Sequence, residues 1–569
     1  MERTGAQIIW ETLMQEGVDV VFGYPGGANL PLYDTMLDYP VHHVLARHEQ
    51  GAAHMADGYA RASGKVGVAM ATSGPGATNL ITGIANAMMD SIPVVFVTAQ
   101  VVSRFIGYDA FQETDVVGIT QPITKHNYLV KDVRQLGKVM REAFYIARSG
   151  RPGPVLVDVA KDAQIAKTDW AYDNHPIRLP GYRPDLSPSP SDIAKAVDLI
   201  HNAQRPVILA GHGVMESGAM AELREFAERT HTPIAVTLLG IGGIPDSHPL
   251  NMGMMGMHGD AWVNHTIQTA DLLLAFGMRF DDRVTGKLET YAPKARKIHI
   301  EIDPSEINKN VLVDVALVGD LRMVLRQLLE VVQPCDHREY VAEIEALKAE
   351  HIEFDQNNVP TTDKPRPPEV IHDLWRLTSQ DSILVTDVGQ HQMWSAQYYK
   401  REKPNTLITS GGLGTMGFGL PAAIGAKFAR PDAEVWAIVG DGGFQMTQAE
   451  LATTVQEGIK INIALMNNGF LGMVRQWQQF FYDRRYAATP MISPDFVKIA
   501  EAHGLTGLRV EHRTEIEPAI QQARQTDGTV LVEFRVEEEE CVYPMVPSGA
   551  DLHNMIYRPA LMEEDELPE

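Results

Sequence analysis

Short apolar runs alternate with helical stretches along most of this chain, and that alternation restricts the fold more than any other feature. The runs have the length and the β-branched content of buried strands and are bounded by glycine turns. Strands that alternate with helices form parallel sheets, because each crossover needs a helix to bring the chain back to the same edge. The sequence therefore predicts an α/β fold of doubly wound parallel sheets. The strand runs include VDVVFGYPGG, VGVAMATSGPG, PVVFVTAQ, PVLVDVA, PVILAGHG and DLLLAFGMRF.

Two proline-rich breaks divide the alternation into three blocks. The segments at 173–192 (DNHPIRLPGYRPDLSPSPSD) and 354–370 (FDQNNVPTTDKPRPPEV) lack apolar periodicity, which is typical of exposed linkers. A chain of 569 residues is long enough for three or four domains. We expect domains at 1–172, 190–345 and 368–545, and a tail at 546–569. The acidic end of that tail is expected either to stay disordered or to close over the site.

The first and third blocks resemble each other. GYARASGKVGVAMATSGPGATNLITGIANAMMDSIPVVFVTAQ lines up loosely with AIGAKFARPDAEVWAIVGDGGFQMTQAELATTVQEGIKINIALMNN, each with a small-residue helix, a strand, a glycine turn, a helix and a strand. A repeat on this scale predicts two domains of one fold, although any two α/β units share part of this pattern. Two such domains facing each other would place Glu49 and Asp441 on opposite walls of one cleft.

Composition excludes several classes of protein. The formal net charge of -24 argues against a nucleic-acid-binding surface, which needs clustered basic residues. Cys335 and Cys541 are the two cysteines, too few for a disulfide framework or a cysteine zinc site. No apolar run reaches the roughly 18 residues of a membrane helix. The opening MERTGAQIIWETLMQEGVD is predicted to be an amphipathic helix without a targeting segment, so we expect a soluble cytoplasmic protein.

Two polar side chains follow successive strand-like runs in the third block. Asp441 follows VWAIVG, and Asn468 follows INIALMN. Parallel strands end at the same edge of a sheet, where α/β proteins bind ligands. A carboxylate and a carboxamide with open positions suit Mg²⁺, which completes its octahedron with water and phosphate oxygens. Because Gly440, Gly442 and Gly443 also let the backbone approach phosphates, the sequence predicts a magnesium–diphosphate site here.

Taken in order, these motifs resemble the catalytic large subunits of biosynthetic acetohydroxyacid synthases, also called acetolactate synthases. GDGGF with the later NN is typical of thiamine-diphosphate enzymes in general. The motifs more typical of the synthases span nearly the whole chain: GYDAFQETD, TKHNYLV, RPGPVLVDVAKD, GMMGMHG, GMRFDDRVTGKL, GTMGFGLPAAIGA and GMVRQWQQFFY. Val102 departs from the proline that many members carry at the mouth of the substrate channel, so inhibitor sensitivity is not inferred.

The resemblance implies a thiamine-diphosphate site. Glu49 matches the glutamate that hydrogen-bonds N1′ of the aminopyrimidine, and Met416 matches the bulky residue that wedges the cofactor into its bent conformation. Asp441, Asn468 and the backbone oxygen of Phe470 match the Mg²⁺ ligands. The other residues implied to contact the cofactor are Gly389, Gln390, His391, Gly414, Gly440, Gly442 and Gly443.

The resemblance also implies substrate and flavin sites. Arg283 would hold the carboxylate of the second substrate, since a guanidinium binds both oxygens. Trp477 would favour 2-ketobutyrate by packing on its extra methyl group. Gln112, Gly27 and Lys161 would line the site or its entrance, although Lys161 is equally consistent with a solvated surface charge. FAD would be bound by Arg151, Gly211, His258, Arg279, Asp281, Glu301 and Asp320.

The implied reaction is decarboxylation of pyruvate and condensation of the remaining two-carbon unit with a second 2-ketoacid, pyruvate or 2-ketobutyrate. The products would be 2-acetolactate and 2-aceto-2-hydroxybutyrate, for branched-chain amino acids. A homodimer with active sites at the interface is implied, with dimer against tetramer left open, and a small regulatory subunit as partner. The alternatives are a flavin-using pyruvate oxidase, another thiamine-diphosphate 2-ketoacid decarboxylase, or a catalytically silent cofactor-binding subunit.

Overall fold

Three six-stranded parallel sheets, one in each predicted block, form the framework of the computed structural model, which describes residues 1–561. The predicted α/β fold is thus confirmed. Helices cover the sheets, so that strands such as Val94–Gln100 are buried along their whole length. This burial explains why the strands are continuously apolar in the sequence instead of alternating.

The first and third sheets have the same strand order. Numbered along the chain within each sheet, both run 2-1-3-4-6-5, as an internal repeat predicts. In that spatial order the strands of the first sheet are His42–Leu45, Val20–Gly23, Gly67–Ala71, Val94–Gln100, Val155–Ala160 and His126–Val130. Those of the third sheet are Leu407–Ile408, Ile383–Thr386, Val435–Gly440, Asn462–Asn467, Val530–Arg535 and Thr506–Val510.

The middle sheet has a different order, 3-2-1-4-5-6, which is that of dinucleotide-binding domains. Its strands, in spatial order, are Asn251–Met254, Ile234–Val236, Pro206–Ala210, Leu272–Phe276, Arg296–Glu301 and Val315–Val318.

Helices connect the strands of all three sheets. Around the first sheet they are Gly5–Gln15, Leu30–Met36, Glu49–Ser63, Pro75–Asn79, Ile81–Asp90, Val116–Thr120, Val133–Arg148 and Lys161–Ile165. Around the middle sheet they are Pro190–Asn202, Gly213–Glu216, Met220–Thr230, Ala261–Thr269, Asp282–Thr285, Leu321–Val331 and Arg338–Asn357. The remaining helices are Pro367–Leu377, Gln390–Tyr398, Gly419–Ala429, Asp441–Thr447, Leu451–Gln456, Gly472–Phe481, Phe496–Ala502 and Ile516–Gln525.

The chain divides into two compact units. The first contains the first and third sheets and comprises Met1–Tyr182, Asp381–Gln392 and Ile408–Glu538. The second contains the middle sheet and comprises Arg183–Gln380, Met393–Leu407 and the residues from Glu539. The domain limits at 1–172, 190–345 and 368–545 stay a prediction.

Within the first unit, the helices Glu49–Ser63 and Gly419–Ala429 pack against each other at two glycines. A Cβ atom on Gly58 would lie 2.2 Å from the carbonyl oxygen of Ala422, and one on Gly425 would lie 1.9 Å from that of Met55. Both distances are far below van der Waals contact, so the two backbones can approach this closely only because both positions are glycine. The contact fixes the two equivalent helices of the repeat together.

Three expectations about local structure need correction. The opening residues are not helical throughout, because Glu2–Thr4 pairs as a strand with Lys167–Asp169 and the helix begins only at Gly5, where Thr4 caps it. The first predicted linker ends earlier, since Pro190 already begins a helix capped by Ser189. The second is shorter than 354–370, because a charged helix continues to Asn357 and the next begins at Pro367.

Two further expectations concern the termini and membranes. Within residues 1–561, no helix is both long and apolar enough to cross a membrane. The expectation for the acidic end of the tail falls on 562–569, which lie outside the described residues.

Candidate active site

The first and third sheets each have a topological switch point, where a ligand crevice opens at the carboxyl ends of strands 1 and 3. In the third sheet these strands end at Thr386 and Gly440, immediately before Asp387 and Asp441. In the first sheet they end at Gly23 and Ala71, just before the turns that contain Gly27 and Thr72. Much of the predicted site therefore lies at the edges where this fold binds ligands.

Asp441 and the segment Asn468–Phe470 lie together at the carboxyl edge of the third sheet. The strands before them are neighbours, with Gly440 opposite Met466. The backbone N–H of Gly469 donates to Asp441 Oδ2 at 3.1 Å, and the N–H of Phe470 donates to Asn468 Oδ1 at 3.1 Å. Gly469 makes this tight turn in the left-handed region, at φ +68. The predicted adjacency of the aspartate and the asparagine is therefore present.

The Asp441 carboxylate is buried and has no cationic partner among residues 1–561. It accepts hydrogen bonds from the backbone N–H of Gly442 at 3.0 Å and from the Ser493 hydroxyl at 3.1 Å, besides that from Gly469. Burial raises its pKa to about 6, and the hydrogen bonds only partly offset this effect. No group of three or more His, Cys, Asp or Glu side chains in the described chain could hold a metal. A metal here would therefore need amide and carbonyl oxygens beside the one carboxylate.

Asp387, which the sequence analysis missed, organises the turn that carries Met416. Its carboxylate accepts the backbone N–H of Gly417 at 2.9 Å, and burial raises its pKa to about 6. A Cβ on Gly443 would lie 2.8 Å from Asp387 Oδ1, so this glycine lets the two turns meet. Met416 reaches the same turn, since a Cβ on Gly442 would lie 3.5 Å from the Met416 Cε atom.

The start of the helix Gln390–Tyr398 completes this edge. Gln390 donates to Gln476 at 2.9 Å and accepts from Asn468 at 3.4 Å. His391 is buried, which lowers its pKa to about 4 and keeps its ring neutral near pH 7. A Cβ on Gly440 would lie 2.9 Å from the His391 ring. Two predicted glycines have positive φ, Gly389 at +149 and Gly414 at +68.

Glu49 begins its helix and is buried. The Asn79 side chain donates to Glu49 Oε2 at 2.9 Å, and a Cβ on Gly76 would lie 3.2 Å from Oε1. Burial, and then the nearby Glu49 charge, raises the pKa of Tyr33 well above its ordinary value. Asn79 gave no signal in the sequence, because it lies 30 residues away in an unremarkable helix.

Three other predicted residues lie close to the switch point of the first sheet. The Lys161 ammonium donates to the backbone oxygen of Gly27 at 2.8 Å, so this lysine is held at the crevice. A Cβ on Gly74 would lie 2.8 Å from the backbone oxygen of Gln112. Gln112 itself has φ +59, a conformation that a non-glycine residue rarely adopts.

Glu450, also missed by the sequence analysis, joins the third block to the residues before Glu49. Its buried carboxylate accepts the backbone N–H groups of Arg47 at 3.0 Å and His48 at 3.1 Å. A Cβ on Gly51 would lie 2.2 Å from its Oε1. No hydrogen bond or ion pair in the described chain joins Glu49 to Asp441, so the single chain does not link the two polar groups directly.

Trp477 lies on the helix Gly472–Phe481, half-buried, with its ring centroid 5.3 Å from that of Phe481. The preceding residue, Gln476, is the partner of Gln390. Trp477 is thus one residue from the edge that holds Asn468.

In the second unit, the predicted flavin residues lie at the carboxyl ends of the middle strands. Gly211 follows the first strand, and a Cβ there would lie 2.4 Å from the backbone oxygen of Gly277, which follows the fourth. These strands flank the switch point of the sheet. The others at this edge are His258, Arg279, Asp281, Glu301 and Asp320. Arg151 belongs to the first unit and donates to Ser91 at 2.8 Å.

Some polar side chains at the carboxyl edge of the middle sheet already accept hydrogen bonds within local turns. Asp281 accepts the N–H of Arg283 at 3.0 Å, and Asp320 accepts that of Met323 at 3.0 Å. His258 is buried, and its Nδ1 atom has no hydrogen-bond partner within residues 1–561. Burial, and then the Arg283 charge, lowers the pKa of His258 to about 4. The Arg283 guanidinium is more than half exposed, so it is accessible to an anionic ligand.

Comparison with known proteins matches the region of each sheet to a family domain. The chain matches the models of the thiamine pyrophosphate enzyme N-terminal TPP-binding domain at 3–119, central domain at 193–328, and C-terminal TPP-binding domain at 387–534. It is 49% identical over 567 residues to the acetolactate synthase large subunit of Corynebacterium glutamicum, covering 97% of this chain and 90% of that protein.

Proteins of two other organisms are also similar to this chain. The chain is 45% identical over 570 residues to a probable acetolactate synthase large subunit of Methanocaldococcus jannaschii, covering 97% of this chain and 95% of that protein. It is 45% identical over 570 residues to the chloroplastic acetolactate synthase 2 of Nicotiana tabacum, covering 97% of this chain and 85% of that protein.

Proposed function

Because this chain belongs to the acetolactate synthase large-subunit family of thiamine-diphosphate enzymes, we propose that Glu49 and Asp441 are the two polar centres of its cofactor site. The family assignment makes the chain an acetolactate synthase, which joins the two-carbon unit left from one decarboxylated 2-ketoacid to a second 2-ketoacid. The roles of individual residues and the identity of the metal and flavin are our proposals.

The observation that carries the metal proposal is the buried Asp441 carboxylate, which has no cationic partner within residues 1–561. An ionised carboxylate in such a place is costly unless a cation compensates it. Asn468 Oδ1 and the backbone oxygen of Phe470 lie on the adjoining turn and supply the hard oxygen atoms that Mg²⁺ prefers. Gly440, Gly442 and Gly443 let this turn pack closely against neighbouring side chains. The N-terminus of the helix Asp441–Thr447 provides amide donors for a diphosphate.

Thiamine diphosphate, when bound, supplies a nucleophilic carbon and an electron sink for decarboxylation of a 2-ketoacid. Glu49 would hold a proton shared with a ring nitrogen of the aminopyrimidine, and its burial keeps water from competing. Asn79 restrains Oε2, which leaves Oε1 on the side of Gly76 as the atom for that proton. Met416, beside the Gly442 turn, would wedge the cofactor into its bent conformation.

The substrate contacts are proposed residue by residue from the resemblance to the family. Gly27, Gln112 and Lys161 line the switch point of the first sheet, where Lys161 brings a positive charge suited to a 2-ketoacid carboxylate. Arg283 would bind the carboxylate of the second 2-ketoacid, and Trp477 would contact its alkyl group. A contact with one methyl group is worth about 1–3 kcal/mol, which would favour 2-ketobutyrate over pyruvate as acceptor.

FAD is proposed for the middle sheet. Three features together fit a ligand at the switch point: the dinucleotide-type strand order, the close approach of Gly211 to Gly277, and His258 Nδ1, which has no partner in the described part of the chain. Arg279 would neutralise its diphosphate, and Arg151, in the other unit, is proposed only from the resemblance to the family. The overall reaction has no net redox change, so the flavin would be structural.

We propose a homodimer in which Glu49 of one chain faces Asp441 of the other. The absence of a direct link between these residues in the described chain supports this arrangement, as do the exposed aromatic rings of Tyr108 and Phe111 beside Gln112. Two of the relatives are named large subunits, which supports a smaller partner subunit. Sedimentation analysis would distinguish a dimer from a tetramer.

The test is product analysis with thiamine diphosphate, Mg²⁺ and FAD and equal concentrations of pyruvate and 2-ketobutyrate. We expect 2-aceto-2-hydroxybutyrate to predominate over 2-acetolactate, and Trp477→Leu to reduce that preference. Acetaldehyde release would instead indicate a simple decarboxylase, and oxygen uptake a flavin-using oxidase. Asp441→Ala should lose bound Mg²⁺ and thiamine diphosphate, whereas the exposed Glu353→Gln serves as a control that keeps both. Unchanged cofactor content in Asp441→Ala would overturn the metal assignment.

A further inference from the structure

The segment 410–417, SGGLGTMG, carries Met416 but cannot fix its own position. It contains four glycines and forms neither helix nor strand. Leu413 is exposed, so the segment has few side chains that can anchor it by packing. Asp387 holds only its end, at Gly417. The rest of the segment must be positioned from outside.

Asn86, on the helix Ile81–Asp90, provides one such anchor. Its side-chain oxygen accepts the hydroxyl of Ser410 at 2.5 Å and that of Thr415 at 3.0 Å. The Thr415 N–H in turn donates to the Ser410 hydroxyl at 2.9 Å, which closes the segment into a loop. Asn86 is completely buried, so water does not replace these bonds when one is lost.

Asp90 provides the second anchor. Its two carboxylate oxygens accept the backbone N–H groups of Gly411 at 3.1 Å and Gly412 at 2.6 Å. Arg61 donates to Asp90 at 2.7 Å and to the Thr409 backbone oxygen at 2.9 Å, just before the segment. The carboxylate therefore holds the segment and is itself held by a buried guanidinium.

The network ends on the helix that begins with Glu49. Arg61 also donates to Asp57 at 2.5 Å, and the Asn86 side-chain N–H₂ donates to Asp57 at 3.0 Å. Asp57 and Arg61 both lie on the helix Glu49–Ser63. A buried network in which every member is bonded behaves as a unit and defines one geometry.

We infer that Asn86 and Asp90 are positioning residues that hold Met416 against the bound thiamine diphosphate. This inference rests on the proposed role of Met416. Both residues bond to the segment 410–417, so they act on Met416 through it. The reaction would be affected because a small displacement of a positioning group is enough to lower catalytic efficiency.

The experiment measures thiamine diphosphate affinity by isothermal titration calorimetry, with MgCl₂ in excess, on the purified full-length chain. Asn86→Ala and Met416→Ala are each expected to weaken binding about tenfold, the scale of one or two buried hydrogen bonds or of a lost apolar contact. The double variant should bind no more than about twofold more weakly than the weaker single variant, because both changes remove one contact. If the double variant loses affinity by the product of the two single-variant losses, the inference is overturned.

Two controls separate positioning from general damage. Asn462→Ala removes another buried asparagine of the same unit, at the start of a strand and roughly 17 Å from its carboxyl end, and should leave the affinity unchanged. FAD content should stay at the wild-type level in every variant, and its loss in Asn86→Ala would mark a folding defect, in which case the affinity is measured on a second variant. If Asn86→Ala does not fold, Ser410→Ala with Thr415→Val removes the same bonds from the other side.

The outcome also distinguishes this inference from the proposed function. Normal affinity in Met416→Ala would refute the role of Met416, and with it the basis for positioning. Impaired Met416→Ala with normal Asn86→Ala would leave that role intact and refute only the positioning inference.

Discussion

Replacing Asp441 by asparagine should stabilise the metal-free protein above pH 7 while weakening the metal-loaded form. Burial raises the pKa of Asp441 from 3.8 to about 6. The folded chain therefore binds this proton more tightly than the unfolded chain does. Stability falls as the pH rises from about 4 to about 6, and the loss is complete above pH 7. Asparagine has no such titration.

The size of the effect follows from this pKa. A rise of about two units corresponds to roughly 3 kcal/mol of lost stability for the ionised carboxylate. The substitution has its own cost, because the N–H₂ group of asparagine cannot accept the N–H of Gly442 or Gly469. That cost is about 1–2 kcal/mol for one buried donor. The metal-free variant should therefore be about 1–2 kcal/mol more stable than wild type at pH 8, and less stable at pH 4.

The assay is urea unfolding of both proteins between pH 4 and 8, without metal and with saturating Mg²⁺ and thiamine diphosphate. Ligands should stabilise wild type by about 3 kcal/mol at a hundred times their dissociation constant, and the variant by much less. The order of stability thus reverses on loading. A variant that is less stable than wild type at every pH without metal would refute the view that Asp441 carries an uncompensated charge.

Three further results are expected. Glu49→Gln should bind thiamine diphosphate within about tenfold of wild type but lose most of its turnover, and near-normal kcat would exclude the proton-sharing role. Trp477→Leu should lower the ratio of 2-ketobutyrate to pyruvate used as acceptor by about tenfold, measured by product analysis. Glu540→Gln removes the shared counter-ion of the buried Arg366 and Arg558, at 2.7 and 3.0 Å, and should destabilise the second unit by about 3–5 kcal/mol in a calorimetric scan.

The adjacency of Asp441 and Asn468 was predictable because it depends on the local chain. Each follows an apolar run, one helix-containing crossover separates the runs, and such runs become neighbouring parallel strands. The position of Lys161 was not predictable from its neighbours, since a lysine after a strand is equally a surface charge. In the structure its ammonium lies 2.8 Å from the Gly27 backbone oxygen, a contact that no neighbouring residue indicates.

Several of the residues that sequence analysis missed are brought to the site by distant segments. Asn79 meets Glu49 across 30 residues, Ser493 meets Asp441 across 52, and Glu450 meets Arg47 across 403. Their bonds exist only after the sheets have formed, so no local signal marks them. The strand Glu2–Thr4 was missed for the same reason, as its partner is 167–169.

The two copies of the repeated fold use equivalent places for different chemistry. In each, a helix precedes strand 3: one begins with the carboxylate of Glu49, and the other follows Met416 and its glycines. At the end of strand 3, one copy has Thr72 and the other Asp441. If the copies were chemically alike, a bound thiamine diphosphate would meet the same groups at both ends. Under the proposed roles of Glu49 and Asp441, these few positions would let one copy serve the aminopyrimidine and the other the diphosphate. The packing of Gly58 and Gly425 keeps the shared frame unchanged.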